Sequence, residues 1–121
     1  MATHNLLGRE GEKVAADYLQ SKGYRIREVN WYSNHKELDI VAEYQGWLVV
    51  VEVKSRSGLP FEAPEIAVDR RKIQRVVMAA HHYVRLHTID LPIRFDVIAL
   101  VLNNGLWQIE HFEDAFLATH A

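Results

Sequence analysis

The sequence contains no cysteine, which excludes disulfides and thiolate-ligated zinc. It also lacks any apolar run near the roughly 18 residues that a membrane span needs, so no membrane partner is expected. The segment Met1 to Glu10 has no apolar stretch of the kind a secretory signal carries, and a cytoplasmic protein is expected. A basic excess is missing as well. The net charge is −2, whereas chains that bind nucleic acid without regard to sequence usually show a positive balance. There is no glycine-rich phosphate loop, dinucleotide fingerprint or Ser-His-Asp spacing, and no internal repeat.

What remains is one domain's worth of chain, 121 residues, of which 49% are hydrophobic and 25% charged. Leu7, Val14, Ala15, Tyr18 and Leu19 recur at helical spacing, so Asn5 to Lys22 reads as a helix stopped by Gly23. Gly8 and Gly11 are costly inside a helix and suggest a frayed start or a close backbone approach. Tyr24 to Trp31 alternates as a strand, with one slip of phase near Glu28. The polar residues Ser33 to Lys36 make a turn. Leu38 to Tyr44 and Leu48 to Val53 are apolar and β-branched, split by Gln45-Gly46, which predicts a tight hairpin. A loop over Ser57 to Pro64, a long helix over Ile66 to His87, and strands over Phe95 to Val101 and Leu106 to Phe112 complete the chain. A strand, a helix and a further strand form a crossover, so the third and fourth strands should be parallel. The expected fold is α/β: a mixed five-stranded sheet with helices on its faces, in the order αβββαββ.

The hairpin carries the chemistry. If Gln45 and Gly46 are its two loop residues, Tyr44 pairs with Trp47. Counting back along both arms then sets Asp39 opposite Glu52 and Glu37 opposite Lys54. Cross-strand partners share a face, with Cβ atoms about 4.5–5.5 Å apart. Two carboxylates opposed on a mostly apolar sheet repel, and an unpaired buried ion is expensive. A hard divalent cation between them, Mg²⁺ or Mn²⁺, resolves both costs. Lys54, two residues beyond Glu52, is then placed to hold an attacking water or to stabilise charge on a phosphate. The bland alternative is a surface ion-pair network on a half-exposed sheet. The β-branched neighbours Val49, Val50, Val51 and Val53 weigh against it.

Other charges divide the same way. Arg70, Arg71, Lys72 and Arg75 either bind phosphates or form a solvated helix face, and Lys72 is the best single choice for phosphate. Arg56 lies beside the proposed site. The seven histidines show no metal-ligand spacing, although His35 sits in the turn before Asp39. Asp96 suggests a structural ion pair. Trp31, Tyr32 and Trp47 suit either base stacking or packing.

Taken in order, Gly8-Arg9-Glu10-Gly11-Glu12, Asn30-Trp31, Glu37-Leu38-Asp39-Ile40-Val41, Val51-Glu52-Val53-Lys54-Ser55-Arg56, Glu65 to Asp69, Lys72, Arg94-Phe95-Asp96-Val97 and Asp114-Ala115-Phe116 resemble the YraN family. That family is similar to the archaeal Holliday-junction resolvases of the PD-(D/E)xK nuclease superfamily. The resemblance runs from about Leu6 to Phe116. It implies a single restriction-endonuclease-like domain over residues 1–121 and a metal-dependent endonuclease acting on DNA, including branched DNA. Glu12 would join Asp39 and Glu52 as a metal ligand, with Lys54 as the catalytic lysine. By itself Glu12 is equally an acid favouring a helix dipole. Resolvase-like relatives act as homodimers, so a homodimer is implied by analogy. Lys36 departs from the glycine usual before the second block's glutamate. The rival expectation is a non-catalytic nucleic-acid-binding module on the same fold.

Overall fold

A computed structural model describes residues 2–57 and 69–116, with side chains from Leu7 onward. The expected loop over Ser57 to Pro64 and the expected helix start at Ile66 fall almost entirely outside those residues. Within them the order is α1 (Ala2–Ser21), β1 (Arg25–Ser33), β2 (Lys36–Tyr44), β3 (Trp47–Ser57), α2 (Arg70–Leu86), β4 (Ile93–Asn103) and β5 (Leu106–Phe116). This is the αβββαββ arrangement, and its five strands form one sheet in the order β1-β2-β3-β4-β5. It is compatible with a restriction-endonuclease-like fold.

Local chemistry accounts for the punctuation. Gly23 takes φ +96° at the end of α1, and Gly23 and Tyr24 donate their N–H groups to the carbonyls of Gln20 and Leu19. That is the Schellman closure, which needs a left-handed residue just past the helix. Each hairpin turns on two residues of positive φ: Asn34-His35, Gln45-Gly46 and Asn104-Gly105. Such turns match the right-handed twist of the strands they join. Asp69 caps α2 by accepting from the Lys72 N–H at 2.8 Å.

The β2–β3 register is the expected one, from Tyr44↔Trp47 to Ile40↔Val51, and β3 runs parallel to β4. Strands β4 and β5 are longer than their apolar runs suggest, because pairing continues through polar residues at both ends. The sheet separates two cores. Ala15 and Leu19 of α1 cover Ile40, Val49, Val51, Ile98 and Leu100 on one face. Val76, Ala80 and Tyr83 of α2 cover Val41, Leu48, Val50, Phe95 and Val97 on the other. No helix among the described residues is long and apolar enough to cross a membrane.

Candidate metal centre

Along β3, Leu48 and Val50 belong to the α2 side, so alternation sends Glu52 and Lys54 to that side too. Glu52 is buried, only 3% exposed, whereas Lys54 reaches solvent and forms no ion pair among the described residues. Asp39 behaves differently. Leu38 joins the α2-side core and Ile40 the α1-side core, although positions two apart on a regular strand share a face. The strand therefore slips by one residue at Asp39. Across from it on β1, between the pairs Val29↔Ile40 and Trp31↔Leu38, Asn30 takes the left-handed φ +57°.

The slip corrects the hairpin argument. Pairing of β2 with β3 ends at Ile40↔Val51, so Asp39 and Glu52 do not form the next rung and Glu37 does not face Lys54 through a ladder. Instead the Asp39 carboxylate occupies the place of a ladder carbonyl and accepts the Val53 N–H at 2.8 Å. It lies near the plane of the sheet rather than on Glu52's face. There it is open to α1 on one side and α2 on the other.

From the α1 side comes Glu12. Gly11 lets that helix approach β3 so closely that a Cβ in its place would sit 1.9 Å from Ser55 Oγ. The Ser55 hydroxyl is buried there without a partner among the described residues. Of the two readings offered for these glycines, Gly11 is the close approach, while Gly8 has open space around it. Glu12 then comes close enough to Asp39 and Asn30 for both to act on its carboxyl.

From the α2 side comes Lys72, whose Nζ lies 3.3 Å from Glu52 Oε1. Expected among the phosphate-binding residues of a surface run, it is the cation nearest the acids. Arg70, Arg71 and Arg75 stay exposed, as does Arg56 on β3. A cleft of about 330 Å³ opens beside Lys72, lined by His35, Lys36, Glu37, Arg75, Val76 and Met78.

The electrostatics follow from this placement. Burial, then the charge of Asp39, raises the Glu52 carboxyl to about 8 against the pull of Lys72. Burial, then Asp39, raises Glu12 to about 7. Burial likewise raises Asp39, against the Val53 N–H and the Lys72 charge. Lys72 is raised although burial opposes it, because Glu52, Asp39 and Glu37 surround it with negative charge. Three carboxyls from α1, β2 and β3, the Glu52 one buried and the other two half-buried, thus lie near one amine. They meet in pairs: among the described residues no three acidic or histidine side chains form a ready coordination shell. In donor chemistry the set fits a hard divalent cation, which takes carboxylate oxygens.

Asp96 is the structural ion pair the sequence suggested, with partners beyond its own strand. Arg94 grips both carboxylate oxygens at 2.9 and 2.8 Å, His111 Nε2 lies 2.7 Å away, and the Asp114 N–H donates at 3.0 Å. The pairing of Arg94 with Asp96 was legible as two charges one pleat apart. His111 was not, because only the β4–β5 pairing brings it there.

The architecture and the buried acid cluster define an α/β protein of restriction-endonuclease-like build. More specifically, residues 11–100 match the family model described as "Uncharacterised protein family UPF0102", and the chain belongs to that family. It is similar to the UPF0102 protein of Phocaeicola vulgatus, 51% identical over 116 residues and 96% of each chain. The Porphyromonas gingivalis UPF0102 protein is 52% identical over 118 residues, 96% of this chain and 87% of the relative. The Flavobacterium psychrophilum relative is 47% identical over 116 residues, 96% of this chain and 98% of its own. Glu12, Asp39, Glu52, Lys54 and Lys72 all lie within the span that matches the family.

Proposed function

We propose that this protein is a divalent-metal-dependent endonuclease acting on DNA phosphodiesters, branched DNA included, as its resemblance to the YraN family and the resolvase-like nucleases implies. One observation carries the reading: carboxyls from three separate elements converge around the end of the β2–β3 ladder, Glu52 buried and Asp39 accepting the Val53 N–H, and burial first, their mutual charge second, raises Glu52 and Glu12. A fold tolerates that cost where a cation relieves it.

Asp39 and Glu52, with Glu12, would hold Mg²⁺ or Mn²⁺, and the ion would supply Lewis-acid stabilisation of charge at the scissile phosphate. Lys54, exposed on the same face as Glu52, orients the attacking water and steadies developing negative charge. Val53 gives its N–H to Asp39, fixing that carboxylate's rotamer. Arg75, which lines the cleft, and the exposed Arg70, Arg71 and Arg56 meet backbone phosphates, positioning the strand without reading its sequence. A homodimer supplies the two sites that paired cuts require.

The test is cleavage of junction, flap and single-stranded DNA with and without Mn²⁺. Metal-dependent cutting by the wild-type protein that disappears in Asp39→Ala supports the enzyme. A second reading, a non-catalytic nucleic-acid-binding module, is favoured by the pairwise meeting of the acids among the described residues. It predicts binding, equal in both proteins, and no cutting in either.

A further inference from the structure

Lys72 occupies an unusual position. Its backbone is fixed in the first turn of α2 by the Asp69 cap, at 2.8 Å. Its side chain spans from there to a buried acid, Nζ 3.3 Å from Glu52 Oε1. The two ends of that ion pair differ in environment: the Glu52 side chain is 4% exposed and that of Lys72 40%. Lys72 also lines the cleft it shares with His35, Lys36, Glu37 and Arg75, where the cations outnumber the one acid and suit an anion. It therefore has two destinations within reach of one anchored backbone. A four-carbon stem and three rotatable donors let an ammonium exchange partners where a planar guanidinium resists it.

We propose that Lys72 is a tethered counter-ion: a divalent cation displaces its amine from Glu52, and the freed amine then meets a phosphate of the substrate in the adjoining cleft. This rests on the metal-site reading above. Without metal, the amine sits 3.3 Å from the buried Glu52 carboxyl and partners it. With metal, an ammonium and a dication against the same carboxylate repel each other. The amine leaves for the cleft, where its charge is useful only once the site is loaded. Lys72 is the cation ion-paired to buried Glu52, so the exchange is assigned to Lys72.

Metal affinity reads this directly, apart from activity. Mn²⁺ titration of the full chain by calorimetry, without DNA, compares wild type, Lys72→Met, Lys72→Arg and Asp39→Asn. Removing the competing amine makes Lys72→Met bind Mn²⁺ about tenfold more tightly, the population cost of the closed pair having gone. Lys72→Arg stays near wild type and Asp39→Asn loses binding. Folded Lys72→Met with unchanged or weaker affinity overturns the exchange while leaving the metal site standing. Absence of Mn²⁺ binding to wild type overturns both. Should Lys72→Met not fold, lysine-selective NMR of the wild type decides. The Lys72 side-chain signal shifts on Mg²⁺ addition while exposed Lys22, just past the end of α1, serves as reference, and a Lys72 signal that stays in place refutes the exchange.

Discussion

Two buried carboxylates sit one rung apart on adjacent strands, Asp96 beside Val51 and Glu52 beside Val97, on opposite faces of the sheet. They are 0% and 3% exposed, so desolvation penalises both. Their outcomes are opposite. Burial opposes ionisation of Asp96, but His111, the Arg94 guanidinium and the Asp114 N–H outweigh it, and the carboxyl is lowered from its ordinary value. Glu52 has one amine and an acidic neighbour, and is raised to about 8. The same small domain thus builds a completed charge site and an incomplete one, and the metal-site proposal rests on the incomplete one.

The largest effect expected from this contrast is at the completed site. Asp96→Ala leaves Arg94 and His111 facing an emptied carboxylate position and should cost about 3–5 kcal/mol, measured by urea unfolding. Glu52→Gln should be neutral or stabilising without metal, since it removes a charge that burial already disfavours. Equal losses for the two variants would erase the distinction.

Next comes pH. Raised carboxyls bind more protons in the folded state than in the unfolded chain, so stability falls as pH rises. The contribution of Glu52 and Glu12 is fully present below about 4.5, their ordinary value, and is lost as pH climbs to about 7 and 8. Asp96 has the opposite sign, but its contribution is lost only in acid below that window. The metal-free protein should therefore lose stability between pH 5 and pH 8.5, read as a falling melting temperature in calorimetry. Glu52→Gln should flatten the slope and Mn²⁺ should restore stability at the alkaline end. A melting temperature that rises across this range would contradict the shifts.

The smallest effect sharpens how α1 delivers Glu12. Gly11→Ala drives a methyl against Ser55 and should cost about 1–2 kcal/mol by overpacking. Ser55→Ala in the same chain should recover part of that, because it removes the nearest clashing atom, a hydroxyl already buried without a partner. Strictly additive losses in the double-mutant cycle would show that the helix does not press on this residue.

The hairpin was readable because a two-residue loop fixes register by counting, and the counting holds for all five pairs from Tyr44↔Trp47 to Ile40↔Val51. It fails at Asp39 because the strand's phase there depends on β1, whose partner register shifts between Ile26 and Glu28 and whose Asn30 turns left-handed. No pattern within β2 announces that. Glu12 was named through the family resemblance, since one acid in a helix carries no address. Lys72 was named within a basic run, but its pairing with Glu52 depends on where α2 lies across the sheet. The crossover and the two covered faces were legible from unbroken apolar strands, which need a helix on each side.

The one-residue slip at Asp39 has a mechanical consequence. A side chain in the plane of the sheet belongs to neither layer, so whatever grips it joins all three. An ion held there would bolt the first helix, the sheet and the second helix at a single point. Loading would then stiffen the domain through its thickness, not just tidy one surface.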